Sequence, residues 1–310
     1  MITFPKTPEA VIGHTGTLRA GGTDVEDRRR NGLIHGDLMD LRDVTTALGD
    51  FHNFDPSNGL YIGALCKVSR LDTAELAPWN GLLEAARTLA TPQIRAMATV
   101  GGSLLQANRC SYFRHPDLSH DCLKAGGPSC PAREGDSLRL ALFESGPCIA
   151  VHPSTLGCAF LAYDAMVSIQ DPSGIRVLGP IDVLYGDGKD SRDHQLPEGT
   201  LLHAIHLENP GTEGSAYGRA IGRVWAEWPL VEATVRRTAK GVVISAGGIA
   251  AVPMRLRVAE TRINAGESVE AAIAAECVGR TIREPARYKV QLLAGLVKHL
   301  LGRIDEGGAQ

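Results

Sequence analysis

A chain of 310 residues that is 44% apolar and 22% charged has the make-up of a globular protein, long enough to bury a sizeable core and to divide into two or more subdomains. Its formal net charge of −3 argues against nucleic acid as the main partner, and no apolar run approaches the roughly 18 residues of a membrane-spanning helix. The amino terminus, MITFPKTPEAVIGHTG, lacks the basic start and apolar stretch of a secretory signal, so the cytoplasm is the expected compartment, and structural disulfides are disfavoured there.

The first 65 residues read as short strands and turns. TLRA, 17–20, is a strand leading into the loop GGTDVED, and LYIGAL, 60–65, is a buried strand preceded by Asn58-Gly59. Residues 80–98 carry Leu82, Leu83, Ala85, Ala86, Leu89 and Ala90 at helical spacing, which predicts one helix. ATVGGSLLQ, 98–106, is a short apolar piece broken by a glycine pair. From 108 to 148 periodicity is poor and turn residues are many, so something other than a core must order this stretch. Ser154 is an N-cap for a helix with Leu156, Ala159, Phe160 and Tyr163 on one face. MVSIQDPSGIRVLG reads as a hairpin turning at Asp171–Gly174, residues 186–199 as a polar surface loop, and LLHAIHL, 201–207, as a strand. Beyond ENPGTEG, 208–214, a second unit is predicted: a strand at Gly241–Ala246, helices across 256–277 and an amphipathic helix near 287–302. Trp225 and Trp228 fall at helical spacing and read as packing residues, and Arg28-Arg29-Arg30 reads as a solvated face. The pattern is α+β.

Four of the seven cysteines, Cys110, Cys122, Cys130 and Cys148, crowd into the irregular stretch with spacings C-x11-C-x7-C-x17-C. Disulfides, zinc and an iron–sulfur cluster compete to explain them. Structural zinc usually shows at least one close pair such as C-x2-C, which is absent here, whereas a cluster held by four thiolates has no such need. Arg109, Arg114, Lys124 and Arg133 could offset thiolate charge, and Gly126-Gly127 could free N–H groups toward sulfur. Small buried cysteines with no ligand remain the plain alternative. His115, His120 and His152 are further ligand candidates that read more simply as surface or hydrogen-bonding histidines, and Cys66, Cys158 and Cys277 sit in apolar surroundings as core residues. The loops RAGGTD, 19–24, and ATVGGS, 98–103, each resemble an anion-binding nest. Neither fits G-x-G-x-x-G or carries the lysine of a P-loop, but together they suggest a diphosphate held between two loops, as FAD would supply.

These segments, AGGTD (20–24), IGA (62–64), IRAMATVGGSLLQ (94–106), CSYFRHP (110–116), CIAVHPST (148–155) and SAGGIAAVPMRLRVAE (245–260), give the chain a resemblance along nearly its whole length to the FAD-binding subunit of molybdenum hydroxylases, the xanthine dehydrogenase and aldehyde oxidoreductase family. The resemblance implies an FAD-binding domain of two α/β subdomains over 1–209, with an iron–sulfur insert at about 108–150, and a smaller C-terminal α+β domain over 210–310. It implies that Ala20, Gly21, Gly22, Thr23 and Asp24, with Thr99, Val100, Gly101, Gly102, Ser103 and Leu105, hold FAD, and that Leu104 and Leu105 approach the flavin ring. It matches Cys110, Cys122, Cys130 and Cys148 to the ligands of an extra [4Fe–4S] cluster found in one branch of the family. It implies no catalytic side chain in this chain, a large partner subunit with the molybdenum cofactor, a small one with [2Fe–2S] clusters, and an external electron acceptor. Co-export with a partner that carries a signal would place the subunit in the periplasm instead. Three departures stand out: Ser103 where the family has Asn, Thr155 where it has an Asp that helps fix FAD, and a short segment before AGGTD. Ser103 and Thr155 favour a rival reading, a scaffold that has lost FAD and keeps a structural metal. A free-standing flavoprotein is a third, disfavoured by the lack of an evident substrate pocket.

Overall fold

Three sheets follow from the strand pairing in the computed structural model, which describes residues 1–44, 48–49, 51–55, 59–211 and 213–307. The first is a small parallel sheet of β1 (Ile2–Thr3), β2 (Thr17–Arg19) and β3 (Leu38–Asp40), ordered β1-β3-β2. Helix α1 (Val25–Arg30) crosses from β2 to β3, so the first glycine loop, 20–24, sits at the carboxyl end of β2 and opens α1. Loops at the carboxyl ends of parallel strands are where α/β sheets bind ligands. The second sheet is antiparallel, ordered β4-β5-β8-β6-β7, from β4 (Phe51–Asp55), β5 (Gly59–Gly63), β6 (Met166–Asp171), β7 (Gly174–Pro180) and β8 (Leu201–Leu207). The third, also antiparallel, runs β12-β11-β10-β9, from β9 (Ser215–Ala220), β10 (Val231–Thr238), β11 (Gly241–Gly247) and β12 (Met254–Arg255). Mixed helix and sheet is the expected class. The expected strands at 60–65, 201–207 and 241–246 form, whereas Asn58 lies outside the described residues.

The helix expected over 80–98 is two helices, α2 (Asn80–Thr88) and α3 (Pro92–Met97). Pro92 has no N–H to continue the first helix and disfavours helical backbone at the residue before it. Thr91 instead caps α3, its Oγ1 accepting from the Ile94 N–H at 3.3 Å, and Arg95 donates back to the Leu89 and Ala90 carbonyls at 2.9 and 3.0 Å. The second glycine loop winds into α4 (Val100–Leu104). The insert contains one short helix, α5 (Ser111–Arg114), and three 3-10 turns. Ser154 caps α6 (Thr155–Ala162) as expected, accepting from the Gly157 N–H at 2.9 Å, but α6 is buried on every side rather than on one face. It fills the space between the second and third sheets, touching β10 and β11 as well as the central core. Helices α7 (Arg257–Asn264) and α9 (Tyr288–Gly307) pack on the third sheet, and α8 (Val269–Glu276) packs against both of them.

Trp225 and Trp228 are not in a helix. They sit exposed in the β9–β10 connection, closed by the Leu230 N–H to the Ala220 carbonyl at 2.8 Å. The carboxyl end of the insert belongs to the third sheet's core: Leu142 and Phe143 pack there, both donating to the Ile249 carbonyl at 2.8 and 2.9 Å. The buried Lys289 ammonium ties the two together, donating to the carbonyls of Arg139, Leu140 and Gly248 at 3.0, 2.7 and 2.7 Å.

Candidate functional site

A cleft of about 720 Å³ opens at the carboxyl end of β2. Ala20, Gly21, Gly22, Thr23 and Asp24 form one wall, and Thr99, Gly101, Gly102 and Leu105 form its floor. Val100 and Ser103 are buried behind that floor, and Leu104 points into the central core instead of the cleft. Residues 191–202 make the facing wall, so the stretch expected to be a plain surface loop has its inner side on the cleft. Phe113 and Lys124 of the insert close one end.

The glycines are required by packing. A Cβ at Gly21 would stand 2.1 Å from the Met97 carbonyl oxygen, and one at Gly101 would stand 2.9 Å from both Cβ and carbonyl oxygen of Ala64. Gly22 has φ +76°, a conformation that glycine adopts without strain. The two loops offer different things to an anion. In the first, the N–H groups of Gly22, Thr23 and Asp24 have no partner among the described residues. In the second, Val100 donates to Cys66 O at 2.9 Å, Gly101 to Ala64 O at 2.7 Å and Gly102 to Thr99 Oγ1 at 3.1 Å. The second loop therefore supplies close backbone approach rather than a nest. Arg28, expected on a solvated face, turns into the cleft one helical turn beyond Asp24, with Nε 3.7 Å from that carboxylate and without a hydrogen bond. Desolvation lowers its pKa below the usual arginine value. An anion reaching the free amides would also meet this guanidinium.

Asp24 is held from the insert side. Its carboxylate accepts from Arg114 Nη2 at 2.6 Å and from the Ala107 N–H at 3.2 Å, and lies 3.2 Å from the Arg109 guanidinium. Arg109 also stacks 4.9 Å over the Trp228 ring. Across the cleft, Lys124 Nζ donates to Asp193 Oδ1 at 2.7 Å and to Ser191 O at 2.6 Å. Arg133 pairs with Glu144 at 2.7 Å. All four of these cations have carboxylate partners, and Lys124 and Arg133 also stabilise the Cys148 and Cys130 thiolates, as expected.

Cys110, Cys122, Cys130 and Cys148 share one small core with Phe113, Ile149 and their neighbours, and none of them is in a disulfide. Gly126 and Gly127 close a turn, donating to Leu123 O and Cys122 O, and do not face sulfur. Other amides do: Tyr112 and Phe113 point at Cys110, Ala132 and Ile149 at Cys130, and Ala150 at Cys148. The hydrogen bond between the two thiols lowers the pKa of Cys130 and raises that of Cys148, while desolvation raises that of Cys110. Among the described residues no three Cys, His, Asp or Glu side chains converge as a single metal ion demands. His115 and His120 lie on the surface beside Asp117 and Asp121. His152 is buried, with Nδ1 accepting from the Ser154 N–H at 3.2 Å. Cys66 and Cys158 are fully buried and Cys277 partly so.

Thr155, where the resemblance expects an Asp near FAD, does not reach the cleft. Its hydroxyl donates to buried Glu232 Oε2 at 2.7 Å, which also accepts from Tyr217 at 2.7 Å. Desolvation raises the Glu232 pKa.

Residues 13–209 match the FAD binding domain in molybdopterin dehydrogenase. The chain belongs to this family. A curated relative, the aldehyde oxidoreductase FAD-binding subunit PaoB of Escherichia coli (strain K12), is 30% identical over 263 residues, covering 80% of this chain and 79% of that protein. Among solved structures, quinoline 2-oxidoreductase from Pseudomonas putida 86 shares the fold with a TM-score of 0.73 at 16% identity, over 99% of this chain and 96% of that one. Carbon monoxide dehydrogenase from Hydrogenophaga pseudoflava shares it with a TM-score of 0.71 at 20% identity, over 98% and 96%. Family membership makes this protein an oxidoreductase subunit with FAD as its cofactor. No helix among the described residues is long and apolar enough to cross a membrane.

Sequence reasoning missed Arg28 and the 191–202 wall. The first had a signal, since Arg28 follows Asp24 by four residues on a helix that starts there and so shares its face. The second had none, because a loop's partner across a cleft leaves no local pattern.

Proposed function

We propose that this protein is the FAD-binding electron-transfer subunit of a multi-subunit molybdenum-containing hydroxylase or dehydrogenase. In this reading, electrons pass between [2Fe–2S] clusters of a small subunit and an external acceptor by way of FAD. A large subunit holds the molybdenum cofactor and acts on the organic substrate. The name of the curated relative favours an aldehyde as that substrate. The observation that carries the reading is the cleft itself, with free amides and Arg28 on one wall and a glycine floor that admits close approach. FAD bound there supplies exchange between one- and two-electron carriers. The chain's share is to grip the diphosphate at Gly22–Asp24 and Arg28, to present Leu105 as an apolar contact, and to exclude water with the 191–202 wall.

The same reading assigns Cys110, Cys122, Cys130 and Cys148 to an additional [4Fe–4S] cluster, supported by the amides aimed at three of the sulfurs and by the shared core. Residues 1–209 form the FAD-binding unit with its insert, and 210–310 the C-terminal unit. The scaffold alternative loses its main support, because neither Ser103 nor Thr155 lines the cleft.

The test is cofactor content of the anaerobically purified complex. About one FAD per chain, with about four iron and four sulfide beyond those of the small subunit's [2Fe–2S] clusters, is the expected result, and Cys122→Ser should remove that additional iron. An assembled complex without flavin, or with zinc replacing iron, overturns the corresponding half of the proposal.

A further inference from the structure

The insert reaches both walls of the cleft from positions next to its thiols. Arg114 follows Cys110 by four residues, and its buried guanidinium binds Asp24 at 2.6 Å, Asp27 at 3.0 Å and the Asn108 carbonyl at 2.8 Å. Asp24 ends the first glycine loop, so this arm sets the amides that face the cleft. Lys124 follows Cys122 by two residues, and its buried ammonium binds Asp193 and Ser191 on the opposite wall. Phe113 lies in the thiol core and lines the cleft at once.

We infer that the thiol pocket and the FAD cleft are one coupled binding unit, in which Arg114 and Lys124 are positioning residues that transmit occupancy of either site to the other. The inference rests on the function proposed above.

The physical reason lies in what orders the insert. Its regular structure is one turn of helix and a few 3-10 turns, and its own core is small. Without a group joining the thiols, ordering this backbone costs conformational entropy that its few apolar contacts scarcely offset. Joining the thiols fixes the backbone at 110 and 122, and with it the origins of both arms. The arms cannot let go cheaply, since each is a largely buried charge paired with a largely buried carboxylate. A set cleft binds FAD more tightly than a loose one. By linkage, FAD must then favour the occupied thiol pocket by the same factor.

The test uses the full chain separated from any copurifying iron–sulfur subunit, prepared anaerobically and compared with the same preparation after chelator has removed its iron. Each is stripped of flavin and titrated with FAD, read by quenching of flavin fluorescence. Iron-loaded protein should bind FAD at least about tenfold more tightly than iron-free protein, within the roughly 5–150-fold range of such couplings. Lys124→Met and Arg114→Gln should keep their iron, bind FAD more weakly and shrink the iron-dependent gain to about twofold or less. Lys124→Arg should restore most of the gain. Asp193→Asn removes the same contact from the far wall, so it gives the answer if an insert variant fails to fold. Equal FAD affinity with and without iron overturns the coupling alone. A preparation that takes up FAD but no iron overturns the cluster assignment and the coupling with it.

Discussion

The cleft and the insert adjoin, yet they are built by different means. The cleft is a matter of backbone: its floor is fixed by hydrogen bonds from Val100 and Gly101 to Cys66 and Ala64, and its shape depends on side chains that are absent at Gly21 and Gly101. The insert is a matter of side chains: little regular structure, a small core of thiols and aromatic rings, and charged arms to its neighbours. A backbone-built site exists before its ligand arrives and is damaged by added volume. A side-chain-built site leans on its partners and is damaged by lost contacts.

Adding volume to the cleft should have the largest effect. Gly21→Val places a Cβ against the Met97 carbonyl, where 2.1 Å is available. We expect FAD affinity to fall at least about a hundredfold and stability by more than about 3 kcal/mol, read from flavin content and denaturant unfolding. A variant that binds FAD normally would break the contrast drawn above. Next is the anchor between insert and C-terminal sheet. Lys289→Met leaves the Arg139, Leu140 and Gly248 carbonyls without their donor, and should cost about 2–4 kcal/mol in denaturant unfolding while the folded fraction keeps its FAD.

A third prediction concerns acid. Burial holds the His152 imidazole neutral and lowers it from 6.5 to about 3. As pH falls from about 6.5 toward 3, the unfolded chain gains a proton here that the folded chain refuses. Stability should therefore fall with pH across that window, by up to about 1.4 kcal/mol per unit from this residue. Unfolding curves at stepped pH should show the slope, and His152→Gln should flatten it. The smallest effect is expected at Thr155. Thr155→Val removes one of the two hydroxyl donors to Glu232 and should cost about 1 kcal/mol, with FAD affinity unchanged because the side chain faces β10 rather than the cleft. A large loss of flavin in this variant would return Thr155 to the cofactor's surroundings.

Legibility follows how local each signal is. The turn at Asp171–Gly174, the Ser154 cap and the strands at 201–207 and 241–246 were readable because their causes lie within a few residues. The glycine pairs were readable as close-approach sites for the same reason. The helix break at Pro92 was also written locally, but helical spacing carried through it and hid the break. Trp225 and Trp228 misled because two aromatics three residues apart mimic a helix face, while the strands on either side pair and force a turn between them. The four thiols were visible as a group, and their gathering into one core was not, since spacings of this length fix no distance.

The residues alone carried the class of the fold, the two glycine loops and the cysteine set, because steric freedom at glycine and thiol chemistry are properties of single residues. The fold decided which loop keeps its amides free, that Arg28 turns inward, that Thr155 serves Glu232, and that Arg114 and Lys124 grip opposite walls. Each of those depends on where a partner distant in the chain comes to rest, and a hydrogen bond or ion pair is set by distances that sequence separation does not encode.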